Sequence, residues 1–257
     1  MAILKQCKAD RLTIEIHDTR DSMGRAAARS AADVIRSLLG SQETINMIFA
    51  AAPSQNETLA YLAHEEGIDW SRINAFHMDE YIGLPAGAPQ AFGVYLYEHI
   101  FSMLPFRSVS YLNASAADAQ AECDRYSQLL KENPVDVVCL GIGENGHIAF
   151  NDPWVADFED PFLVKPVPLD PVCRQQQVND GCFSSIDQVP THAITLTIPA
   201  LNNAKHMICS VPAASKSWAV EQTARAPISS EIPATVMRRH PHAILFCDSD
   251  SGASLLK

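Results

Sequence analysis

The sequence predicts an α/β protein built on an open, mostly parallel sheet with helices on both faces. Short β-rich apolar runs alternate with amphipathic helical segments along most of the chain. The run Val135-Asp136-Val137-Val138-Cys139-Leu140 is apolar and β-branched, as a buried central strand requires. The residues able to do chemistry stand just after such runs, where the carboxyl ends of parallel strands open onto a crevice.

The elements follow in order. Leu12-Thr13-Ile14-Glu15-Ile16 opens as a strand, and residues 22–39 carry apolar residues at helical spacing, with Ser22 as the cap and Gly40 just past the end. Ile45-Asn46-Met47-Ile48-Phe49-Ala50 is a second strand. A helix opens near Pro53, where Ser54 and Glu57 fit a capping box. Arg72-Ile73-Asn74-Ala75-Phe76 is a third strand, helices are predicted at 94–104 and 118–131, and the strand ending at Leu140 is the fourth. Residues 154–188, rich in Pro, Asp and Gln, are too long for an ordinary connection and predict a lid. Strands then follow at Ala193-Ile194-Thr195-Leu196-Thr197-Ile198, His206-Met207-Ile208-Cys209-Ser210-Val211 and Ala243-Ile244-Leu245-Phe246-Cys247, with a helix over 215–225 before the last. No linker, repeat or low-complexity tract divides the chain, so residues 1–257 are expected to form one domain.

With 257 residues, 47% of them hydrophobic and 19% charged, the chain can bury a full core. A formal net charge of -11 with scattered Lys and Arg disfavours nucleic acid, while leaving room for a local anion pocket. No apolar run approaches the ~18 residues that a membrane span needs, and the start of the chain lacks a secretory h-region, so a cytoplasmic protein is expected. The 7 cysteines show no metal-ligand spacing; Cys139, Cys209 and Cys247 lie in strand-like runs and read as reduced core residues.

The most informative stretch is Gly141-Ile142-Gly143-Glu144-Asn145-Gly146-His147-Ile148-Ala149-Phe150-Asn151-Asp152-Pro153. It sets His147 and Asp152 on one glycine-rich turn after the fourth strand, a spacing that lets a carboxylate orient an imidazole for proton transfer. Asp79, after the third strand, is flanked by Met78 and Tyr81, and partial burial would lift its pKa toward the range of a general base. Ser54-Gln55-Asn56 follow the second strand, and Ser215-Lys216 follow the strand ending at Val211. Lys216 at a helix start combines a full charge with the helix dipole, a pairing suited to phosphate. The plainer readings are a core histidine, helix capping by residues 54–56 and a solvated Lys216. His240-Pro241-His242 reads as turn residues, and no metal site is expected.

These segments resemble the glucosamine-6-phosphate deaminase (isomerase) family over nearly the whole chain. Met78-Asp79-Glu80-Tyr81-Ile82-Gly83-Leu84-Pro85 looks like that family's base-bearing segment and residues 141–153 like its ring-opening turn; Gln188-Val189-Pro190 and His240-Pro241-His242-Ala243-Ile244 also match. The resemblance implies a three-layer α/β fold shared with sugar-phosphate isomerases and lactonases, a phosphorylated amino sugar as substrate and no cofactor. Homo-oligomerisation is left open. By the same resemblance His147 opens the sugar ring, supported by Asp152, and Asp79 moves a proton from C2 to C1. Gly143, Ser54, Gln55, Asn56 and Lys216 would bind substrate, with Lys216 on phosphate. The chain departs from the family pattern at Asn145, where Asp is usual, and at Asp152, where Glu is common. Ala51-Ala52-Pro53-Ser54-Gln55-Asn56 replaces a Thr-Gly-Gly-Thr-like phosphate loop. A phosphate-binding arginine is missing near Asn179, and Arg174 is its candidate substitute. The alternatives are galactosamine 6-phosphate as substrate, a 6-phosphogluconolactonase, whose Gly-His turn usually continues differently from Ile148-Ala149-Phe150, and a non-catalytic sugar-phosphate sensor.

Overall fold

The computed structural model describes residues 2–113 and 115–257. Its frame is an eight-stranded sheet of β1 (Ile3–Ala9), β2 (Leu12–His17), β3 (Ile45–Phe49), β4 (Ile73–His77), β6 (Ser108–Ser110), β7 (Val137–Leu140), β10 (His206–Val211) and β11 (Ala243–Cys247). Their order across the sheet is β1-β2-β11-β10-β7-β3-β4-β6. Every pairing is parallel except that of β1 with β2. A second sheet of three antiparallel strands, β5 (Asp79–Tyr81), β9 (His192–Leu196) and β8 (Val164–Pro168), stands beside it.

Alternate residues of the central strands feed two cores, one on each face, because side chains of a strand point to opposite sides. Met47, Phe49, Val137, Cys139 and Ile208 pack with α1 (Arg20–Leu39), α2 (Asn56–Ala63) and α3 (Phe92–Leu96). Ile48, Val138, Leu140, Met207 and Cys209 pack with α4 (Ala119–Glu132), α6 (Ile198–Asn202), α7 (Ser217–Arg225) and α8 (Ala253–Leu256). The three layers are those implied by the resemblance, and no helix among the described residues is long and apolar enough to cross a membrane. All seven cysteines are free, and Cys139, Cys209 and Cys247 are buried core residues.

Several local readings are corrected. The cap of α1 is Thr19, whose hydroxyl accepts the Ser22 N–H while the Ser22 hydroxyl accepts the Thr19 N–H; Ser22 is thus the inner partner of the capping box. Ser54 and Glu57 form no such box: residues Pro53–Gln55 make a 3₁₀ turn, and Arg20 holds Glu57 at 2.8 Å. Residues 193–196 are a strand, but of the small antiparallel sheet. The expected lid region contains β8 and α5 (Pro171–Asn179). Pro166 and Pro168 are tolerated in β8 because it is an edge strand of its sheet.

Candidate active site

The site lies at the carboxyl ends of β3, β4, β7 and β10. One cavity there is lined by Ser54, Asp79, Gly141, Gly143, His147, Ser215 and Lys216, so the sequence-predicted segments converge. Gly141, first after β7, makes room for the turn that follows β3; a Cβ on it would sit 3.0 Å from Gln55 Nε2 and 3.2 Å from Ser54 Oγ. Gly143 is needed because the imidazole lies directly over it: a Cβ there would fall 2.1–2.4 Å from the ring atoms of His147. The turn is closed by the Gly143 N–H donating to His147 O (2.9 Å) and by Gly146 donating to Gly143 O (3.0 Å), with Gly146 at φ +86°.

Asn145 holds the imidazole and the carboxylate together. Its Oδ1 lies 2.7 Å from His147 Nδ1 and also accepts the His147 backbone N–H, while its Nδ2 donates to Asp152 Oδ1 at 2.9 Å. Asp152 Oδ1 is itself 3.1 Å from His147 Nδ1, and Asp152 Oδ2 accepts the Asp170 N–H. With two acceptor oxygens around Nδ1, the proton of a neutral ring belongs there, which leaves Nε2 as the acceptor. Burial pushes the Asp152 pKa up, but the bonds from His147, Asn145 and Asp170 outweigh it and hold the carboxyl below its ordinary value.

Asp79 opens β5, pairs in register with Thr195 of β9, and is 7% exposed. Met78, Phe92 and Phe150 line the cavity around it. Burial, aided by the neighbouring Glu80, raises its pKa well above that of an ordinary aspartate. Glu80 has other work: its carboxylate accepts the N–H groups of Tyr81, Phe92 and Gly93, satisfying the start of α3.

Lys216 ends a 3₁₀ turn before α7 and is 5% exposed, with no ion-pair partner among the described residues. Burial lowers its pKa, opposed by Asp180 and Glu144. Arg20 adds a second cation at the cavity wall, although Glu57 partly neutralises it.

Two predicted binding residues do not line this cavity. The 3₁₀ turn directs the Gln55 amide to Ser210 O and Ser54 Oγ, and Asn56 Oδ1 accepts from Tyr95 OH. Arg174 is spent on Ile186 O and Val189 O, and Asn179 is exposed. In their place α5 and the C-cap that follows it present Gln176, Gln177 and Asp180, with Gln176 Oε1 accepting the Glu144 N–H at 2.9 Å. The sequence reading missed these residues and Arg20; Asp170-Pro171, a cap followed by proline in the first turn, was the signal that α5 begins there.

Fold and site together define an α/β protein with an acid–base cavity at its strand ends and a buried lysine facing the same space. The chain belongs to the family of glucosamine-6-phosphate isomerases and 6-phosphogluconolactonases, whose model matches residues 18–153. It is 34% identical over 231 residues to the glucosamine-6-phosphate deaminase of Listeria monocytogenes, covering 90% of this chain and 96% of that one. The deaminase of Lactobacillus delbrueckii is 34% identical over 197 residues, which cover 74% of this chain and 79% of that one. A solved structure of a monomeric glucosamine-6-phosphate deaminase superposes with a TM-score of 0.84 at 27% identity, covering 93% of this chain and 98% of that one. The 6-phosphogluconolactonase of Thermotoga maritima, at 18% identity and a TM-score of 0.75 over 92% of this chain and 99% of that one, shares the fold.

Proposed function

We propose that the protein converts glucosamine 6-phosphate to fructose 6-phosphate and ammonia by acid–base catalysis. The observation that carries this reading is the presence of a raised-pKa carboxylate, Asp79, and an oriented imidazole, His147, in one cavity with the buried Lys216. Nε2 of His147 takes the anomeric hydroxyl proton and returns it to the ring oxygen, opening the sugar. Asp79 as carboxylate removes the C2 proton, giving an enolamine, and delivers it to C1. The resulting C2 imine is hydrolysed by water, which releases ammonia and leaves the ketose. The side chains themselves handle only protons, while water supplies the oxygen that replaces nitrogen at C2, each positioned acid or base being worth ~10²–10⁴ in rate. Lys216, Ser54 and Ser215 would hold the phosphate.

Ammonia release measured across glucosamine 6-phosphate, galactosamine 6-phosphate and unphosphorylated glucosamine tests this, with release from the first as the expected result and none from any as the refutation. Lys216→Ala is expected to raise KM about 10- to 100-fold with a smaller change in kcat, the worth of a charge-assisted contact to phosphate. An unchanged KM would remove Lys216 from the binding site. Asp180, a carboxylate close to Lys216, opposes a dianionic phosphate. Asp180→Asn should therefore lower KM for the phosphorylated sugar about three- to tenfold, the equivalent of ~1 kcal/mol of relieved repulsion; a raised KM would assign Asp180 to the sugar itself.

A further inference from the structure

We propose that His147, Asp152 and Cys173 form a binding site for a thiophilic divalent cation of the zinc class, and that a cation held there arrests catalysis. One donor atom from each residue lies within 4.8 Å of the other two, and all three residues are buried. No other three His, Cys, Asp or Glu side chains converge in this way among the described residues. His147 Nδ1 and Asp152 Oδ1 are already 3.1 Å apart. Ligand bonds of ~2.0–2.3 Å to a tetrahedral zinc place neighbouring donors roughly 3.3–3.8 Å apart, so sulfur need close by only about an ångström.

The donor set selects the metal. Imidazole and thiol suit zinc, cobalt and cadmium, whereas magnesium and calcium take oxygen shells. Of the three ligands only His147 lines the cavity, and a tetrahedral cation held by three protein groups has one position left for a further ligand. Cys173 comes from the start of α5, is 1% exposed and has no part in the proposed reaction.

Binding releases the thiol proton to solvent as the sulfur–metal bond forms, and it displaces Asn145 from both partners. A cation on Nδ1 displaces the ring proton from that nitrogen to Nε2 by way of solvent, so Nε2 carries a hydrogen and the ring can no longer accept a proton there. The arrest rests on the deaminase reading; the binding does not.

The experiment uses the whole protein, stripped by a chelator and titrated with Co²⁺, and then assayed for ammonia release under Zn²⁺. A thiolate-to-cobalt charge-transfer band at one Co²⁺ per chain is expected, absent in Cys173→Ala and retained in Cys182→Ser. Zn²⁺ inhibition reversed by EDTA is expected, with the inhibitory concentration raised at least ~10-fold in Cys173→Ala, since even second-shell changes cost that much in metal affinity. Cys173→Ser, which keeps the volume but replaces sulfur by a hard oxygen, should show the same loss and answers any failure of the alanine variant to fold. No band, or a band and inhibition that survive Cys173→Ala, overturns the proposal. A Cys173-dependent band in a protein that releases no ammonia from any sugar supports the cation site and refutes the deaminase reading instead.

Discussion

Asp79→Asn is expected to abolish most ammonia release and, at neutral pH, to stabilise the folded protein. The loss should reach ~10²–10⁴ in kcat, because the amide cannot take the C2 proton. The gain follows from the raised pKa of the buried carboxyl. Below the unfolded value of ~3.9 both states are protonated and the group contributes nothing. As pH rises from there through the higher folded value, the unfolded chain gives up its proton first, so stability falls, and above the folded value the full penalty remains. Asparagine carries no such penalty. Thermal melts should therefore show no advantage for Asp79→Asn near pH 3 and an advantage that grows as the pH rises above the unfolded value. An equal shift at both ends would point to packing. In the wild type the same raised pKa places the acid limb of kcat/KM above the pH at which an ordinary aspartate ionises.

Gly143→Ala should cost about 10²-fold or more in kcat while Lys216 continues to hold substrate, so that KM changes less. The reason is a collision between side chains, for Gly143 is not in the left-handed region: a methyl group would lie 2.1–2.4 Å from the His147 ring. The ring must leave, breaking its alignment with Asn145 and Asp152, and a misplacement of about 1 Å is enough for a loss of that size. Circular dichroism would show the fold retained while initial rates report the loss. A variant with wild-type kcat would mean that the imidazole does not act from this position. The equivalent change at Gly146 adds backbone strain at φ +86° and a 2.9 Å approach to Ile232 Cγ2, so there lowered stability is expected as well.

The central strands and long helices were legible because burial on both faces leaves continuous apolar runs, as in β7 and β10, and because α1 keeps one apolar stripe over twenty residues. β1 escaped notice because, as an edge strand lying largely at the surface, it carries no buried alternation. β5 and β6, three residues each, are too short to show a period. In α5 a run of glutamines hides the buried side, and the prolines of β8 speak against a strand unless its edge position is known. The convergence of Ser54, Asp79, His147 and Lys216 was readable because strand ends in a parallel sheet share one side. The orientation of Gln55 and Asn56 was not, since a single 3₁₀ turn rotates consecutive side chains to different surroundings.

Thr195 touches both halves of the proposed acid–base machinery. Its backbone is registered against Asp79, and its fully buried hydroxyl accepts the Phe150 N–H from the segment that carries His147 and Asp152. The two proton-handling stations are thus mounted on a common main-chain bracket. Swapping an acid for an amide, or a longer carboxylate for a shorter one, changes what each station offers while the gap a sugar must bridge stays fixed. Such a mount gives positions 145 and 152 room to change without the site having to be rebuilt around them.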